Sequence, residues 1–114
     1  MKDLLYHNAG YPPEVHFHRP DNRHGEAFYS LDRRNSMQLI ATKVPFERER
    51  GGKAIYSDID YMLLGLIIER ITGQQQDQYL EQTLYRPMGL SHTLFNPLCK
   101  GITPQQIAAT ELAG

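Results

Sequence analysis

Apolar residues recur at helical spacing along only part of this chain. After Ser57 and Asp58, the residues Ile59, Met62, Leu63, Leu66, Ile67 and Ile71 follow the i, i+3, i+4, i+7 pattern of a helix face. Leu64 and Ile68 widen the stripe nearly all round, which predicts a central helix over 58–72, buried on most sides. Ser57 or Asp58 supplies an N-cap, while Asp60 in the first turn and Arg70 in the last complement the helix dipole. Gly73 then stops the helix in the left-handed conformation. A second helix is expected over 75–85 with Tyr79, Leu80, Thr83 and Leu84 inward, ending before Pro87. A weaker one over 32–42 would present Met37, Ile40 and Ala41, and a short one over 3–7 would bury Leu4 and Leu5. Thr103-Pro104-Gln105-Gln106 has the form of a capping box with proline at the first helical position. No run of alternating β-branched residues is present, so little or no sheet is expected.

The stretch from Asn8 to Tyr29 follows neither period, and Gly10, Pro12, Pro13, Pro20, Asp21-Asn22 and His24-Gly25 punctuate it as turns. An irregular run of that length points to a functional loop, a lid or a piece of something larger. The whole chain has 114 residues, the size of one domain. With 12 Lys and Arg against 13 Asp and Glu, the net charge is -1, which argues against a general electrostatic nucleic-acid binder. A lone cysteine, Cys99, excludes an internal disulfide. The longest apolar run, Tyr61 to Ile68, is far short of the roughly 20 residues that a membrane span needs. The opening MKDLLYHNAG has no apolar stretch ending in a small-residue cleavage site, so no signal peptide is expected in it.

Four groups of residues are candidates for chemistry. His16, His18 and His24 lie within nine residues, but without H-E-x-x-H or a nearby cysteine no metal site is expected. Glu47-Arg48-Glu49-Arg50 reads as a solvated loop of alternating charge, and the Gly51-Gly52 that follows lacks the spacing of a phosphate cradle. Cys99 has no histidine at a recognisable spacing and reads as a free structural thiol. Tyr56 stands just ahead of a helix N-terminus, whose positive potential would favour phenolate character and hence proton transfer. The plain alternative is a phenol that packs at a loop edge.

The run from Tyr56 to Gly73, YSDIDYMLLGLIIERITG, resembles the Y-S-N…Y-x-L-L-G-x-I-I-E-x-I-T-G segment of the serine β-lactamase-like family. That family includes class C β-lactamases, low-molecular-mass penicillin-binding proteins and related esterases; the similarity is greatest to penicillin-binding-protein-4B-like sequences. Three further stretches are similar in order. Lys2 to Pro13 resembles "D-L-L-x-H-x-S-G-x-P", Tyr85 to Thr93 resembles "P-L-G-M-x-x-T", and Ala108 to Glu111 resembles "A-x-T-E". The resemblance implies the helical subdomain of the β-lactamase/transpeptidase-like fold, mainly α with long irregular loops, as a single unit over 1–114.

The same resemblance implies roles. Tyr56 falls on the family tyrosine that moves the proton of the nucleophilic serine and of the leaving group. Asp58 falls where many members have an asparagine whose amide contacts the substrate and the S-x-x-K lysine, and a carboxylate cannot donate that bond unless protonated. His7 and Gly10 match positions that shape a turn beneath the site. No serine of this sequence has lysine three residues on, and K-T-G is also absent. The sequence therefore reads as an internal fragment of a longer serine hydrolase acting on a β-lactam, D-Ala-D-Ala peptide or ester. Its partners would be the α/β subdomain and a small-molecule or peptide substrate, with no cofactor and no nucleic acid, in the periplasm or cell envelope. An apolar face left open would favour homo-oligomers of the piece alone. The other reading is a non-catalytic binding or assembly module that keeps the fold without the chemistry.

Overall fold

The apolar stripe after Ser57 does form the longest helix of the structure, a computed structural model that describes residues 1–110. Glu111, the last residue of the A-x-T-E resemblance, lies outside the described residues. The chain divides into two compact units, Met1–Gly73 and one that begins at Gln74. In the first, α1 spans Lys2–Leu5, α2 spans Arg33–Thr42 and α3 spans Asp58–Thr72. In the second, α4 spans Gln76–Leu80 and runs on into a π-helical turn at Glu81–Tyr85. Among the described residues there is no strand, so the architecture is mainly α with long irregular connections.

The core of the first unit is small. Val15, Phe17, Ile40, Val44 and Ile59 are buried together, with Tyr11, Phe28, Met37, Leu39 and Leu63 packed partly against them. Burial of this apolar set is the main favourable term that holds α2 on α3, and the Arg33–Glu69 ion pair adds a tie at the edge of that contact. Val15 and Phe17 come from the polar stretch that lacks any period, so part of the core is built from a loop rather than from a helix face. Asp32, expected as the first residue of this helix, instead caps it by accepting from the Asn35 amide at 2.8 Å.

Several expectations are corrected. Helix α1 is shorter than 3–7: Leu4 is half-buried, Leu5 is 51% exposed, and His7 leaves the helix at a φ of 56°. On α2, Ala41 is exposed and Leu39 takes its place against the core. On α3 the fully buried residues are Ile59, Asp60 and Gly65, while Tyr61, Met62 and Ile71 are exposed, so it is not buried on most sides. Along the second helix Tyr79 and Leu80 are half-buried but Thr83 and Leu84 are exposed. The π turn explains this: Arg86 N–H donates to the Glu81 carbonyl, five residues back. That wider turn rotates the following side chains off the earlier face. The Gly73 stop forms as expected, with φ 68°, and at Thr103 the capping box forms as well, Gln106 Oε1 accepting from the Thr103 amide at 3.0 Å.

Backbone hydrogen bonds bind the start of the irregular first half to the segment that leads into α3. The Gly10 carbonyl accepts from the amides of Glu47 (2.9 Å) and Arg48 (3.2 Å), the Asn8 carbonyl from Gly51 (2.8 Å) and the His7 carbonyl from Ile55 (2.9 Å). Arg48 returns the contact, its guanidinium donating to the Tyr11 carbonyl at 2.6 Å. The charged run Glu47–Arg50 is thus a strap and not only a solvated loop; Arg50 pairs with Asp3 at 2.8 Å as part of it.

Gly10 makes the close approach possible. Its φ is 100°, and a Cβ there would collide with the Arg48 carbonyl oxygen. Gly10→Ala is expected to cost about 2 kcal/mol or more from backbone strain plus the clash, a fall of roughly 10 °C in Tm for a domain of this size. Gly51→Ala, at φ 81° with open space around the added carbon, should cost clearly less. Equal losses in the two variants, measured by thermal unfolding, would contradict the close-approach explanation.

Candidate active site

The N-terminus of α3 is where the sequence candidates meet. Ser57 is the N-cap residue, yet its hydroxyl does not cap: it donates to the Pro12 carbonyl at 2.5 Å, in a fully buried contact. The Asp58 amide donates to the Pro13 carbonyl at 3.0 Å. The free amides that every helix start leaves over are here partly met by the proline-bearing loop 8–13. Prolines lack an N–H but keep a full carbonyl acceptor, which suits Pro12 and Pro13 to this task.

Tyr56 projects from the residue before that cap and is 71% exposed. Its ring lies beside the His7 imidazole, tilted by 49° with centroids 4.8 Å apart. The imidazole also lies 5.1 Å from the ring of Tyr61, tilted by 33°. His7 Nδ1 is 2.9 Å from Oδ2 of Asp60, which is 1% exposed. The Ser57 amide lies 3.3 Å from the same Nδ1. A nitrogen that donates cannot also accept, so the shorter, charge-assisted contact to the carboxylate is taken as the bond. Asp60 is thus a buried acid with an imidazole partner as well as a first-turn acid that complements the α3 dipole.

Asp58 is exposed at the first position of α3 and lines a cleft of about 330 Å³ together with His16, His18, Arg33 and Met62. Tyr56 does not line that cleft. The histidines of the loop are distributed among separate partners. His16 pairs with Glu14 at 3.0 Å and meets His18 edge-on, while His24 packs on Phe28. No three potential metal ligands come together among the described residues. In the second unit a cleft of about 360 Å³ contains Glu81, Arg86 and Lys100. There the Lys100 hydrogen bond, with Arg86 assisting, holds the Glu81 carboxyl below its ordinary range. Its two cations are therefore engaged with each other's counter-ion, and none of the candidate residues lies in it. Cys99 is exposed with a free thiol.

Asp60 and His7 are the residues that reading the sequence for chemistry passed over. No local signal marks the pair, because the two residues lie 53 positions apart.

The β-lactamase family model matches residues 1–110. A protein of Escherichia coli strain K12 named "Putative D-alanyl-D-alanine carboxypeptidase" is 50% identical over 114 residues, which are 100% of this chain and 26% of that protein. A protein of Salmonella paratyphi B with the same name is 48% identical over 112 residues, 98% of this chain and 25% of its own length. The chain thus spans about a quarter of the length of the curated relatives it matches. No solved structure matches it.

Tyr11 reports on this site. Its ring packs on Phe46 at 4.5 Å with a tilt of 33°, and burial first, the Asp60 charge second, raise its phenol above the ordinary value of 10.0. A raised value means that the folded state holds the proton more tightly than the unfolded chain. The associated stability is intact below pH 10.0 and is lost as pH rises through the folded value. Tyr11→Phe is therefore expected to move alkaline unfolding to higher pH. Asp60→Asn should bring the Tyr11 titration, followed by phenolate absorbance, back toward normal; an unchanged titration would show that the Asp60 charge does not reach it.

Proposed function

Since the chain belongs to the β-lactamase family, we propose that it is the tyrosine-bearing helical part of a serine acyl-transfer hydrolase. The substrate class proposed is a D-Ala-D-Ala peptide, with related esters or β-lactams as alternatives of the same chemistry, which would place the enzyme at the cell envelope. The relatives' name supports the peptide. Within these 114 residues there is neither an S-x-x-K serine nor a K-T-G. The nucleophile and its lysines are therefore assigned to other parts of the longer protein, and so is the α/β subdomain against which this piece would pack.

The observation that carries the reading is the placement of Tyr56. Its phenol stands free at the edge of the α3 N-terminus while its backbone is tied down on both sides. A proton-transfer group must be accessible to the reacting atoms yet fixed in direction, and this residue is both. In the proposed mechanism the Tyr56 oxygen takes the proton of the attacking serine and returns it to the leaving amine. Asp58 pairs with the S-x-x-K lysine ammonium as a carboxylate and does not donate to the substrate amide. The exchange of an amide for a carboxylate favours peptide or ester substrates over classical β-lactam turnover.

In the full-length protein carrying this segment, Tyr56→Phe is expected to slow acylation by about 10² to 10⁴ with Tm nearly unchanged, since only one exposed hydroxyl is lost. Pre-steady-state acylation rates with one substrate measure it, and equal rates would remove Tyr56 from the mechanism. The 114-residue chain itself should give no acylation burst with an activated ester, because it encodes no nucleophile. A burst would refute that division of labour.

A further inference from the structure

We infer that His7, held by the buried Asp60 carboxylate, is a positioning residue for Tyr56, an inference that rests on the proton-transfer role given to Tyr56 above. Three observations converge on it. The first is strain: His7 sits at a φ of 56°, a region that a histidine occupies only where its surroundings compensate. The second is burial. Asp60 is 1% exposed, and one carboxylate oxygen meets His7 while the other, Oδ1, has no hydrogen-bond partner. A carboxylate buried at that cost with a single partner fixes that partner firmly. The third is what His7 then touches. Its carbonyl accepts from Ile55, the residue before Tyr56, at 2.9 Å, and its ring forms one wall of the Tyr56 phenol.

These contacts act in series. Asp60 sets the plane of the imidazole, the imidazole limits the rotation of the phenol, and the His7 carbonyl fixes the strand of backbone that leads into it. The residue after Tyr56 is held independently by the Ser57 hydroxyl on Pro12. Tyr61 also lies beside the imidazole, and its hydroxyl reaches the Leu5 carbonyl at 3.4 Å. His7 therefore has the Asp60 carboxyl group on one edge and the rings of Tyr56 and Tyr61 beside it. It works through Tyr56.

A double-mutant cycle in the full-length protein tests this. His7→Ala is expected to lower the acylation rate by roughly 10², as a displaced catalytic group does, with KM changed by less than about threefold. In a Tyr56→Phe background the same change should cost less than about threefold, because the group it positions is already gone. His7→Asn places an amide nitrogen where Nδ1 lies and tolerates a positive φ, so it should recover the rate to within about tenfold of wild type. His7→Gln, whose amide falls at the Nε2 position, should not. Should the alanine variant fail to fold, the Asn and Gln pair alone carries the comparison. A full His7→Ala loss in the Tyr56→Phe background would overturn the inference and leave Tyr56 in the mechanism. So would Asn behaving no better than Gln. If Tyr56→Phe itself acylates at the wild-type rate, both readings fall together.

Discussion

The carbonyl oxygens of residues 7–13 are the constraint on which the arrangement of the first unit depends. Six of them face donors from the 47–58 segment: His7 to Ile55, Asn8 to Gly51, Gly10 to Glu47 and Arg48, Tyr11 to the Arg48 guanidinium, Pro12 to the Ser57 hydroxyl, and Pro13 to Asp58. An irregular loop must pair its backbone somewhere or be solvated. Here it pairs with another irregular segment, and the two together replace the sheet that the unit lacks. The turn at Gly10 and the left-handed His7 follow from keeping these carbonyls aimed one way.

This polar strapping matters because the apolar core is thin. Five side chains are buried together, few for a unit of this length. Hydrogen bonds contribute modestly when counted one by one, but losing a partner for a buried group costs more than the bond gains. The strap is therefore best described as a set of mutually dependent contacts, in which the loss of one exposes others. Its functional effect is local. It leaves the Tyr56 side chain exposed beside the His7 ring while fixing the residues on either side. The Asp60–His7 pair belongs to the same set, turned from backbone to side chain.

Legibility in the sequence followed the physics of each element. Helix α3 and its glycine stop could be read to the residue, because periodicity and the left-handed cap are local properties. Helix α2 was legible for a similar reason, through Asp32 and the Ile40 stripe. The core contributions of Val15 and Phe17 were not, since single apolar residues in a polar loop carry no period. Nor was the π turn at Glu81–Tyr85, which leaves no residue-level mark. Tyr56 and Asp58 were identified by position and resemblance. The pairing of His7 with Asp60 spans 53 residues, and no local rule connects residues that far apart.

Amide hydrogen exchange on the chain tests the strap most directly. The account predicts that the amides of Gly51, Ile55 and Asp58, whose acceptors all lie in the 7–13 loop, are protected to within about tenfold of interior α3 amides such as that of Leu66, and open with them as one unit. Exchange of those three amides at the rate of an unstructured chain, while α3 remains protected, would contradict it.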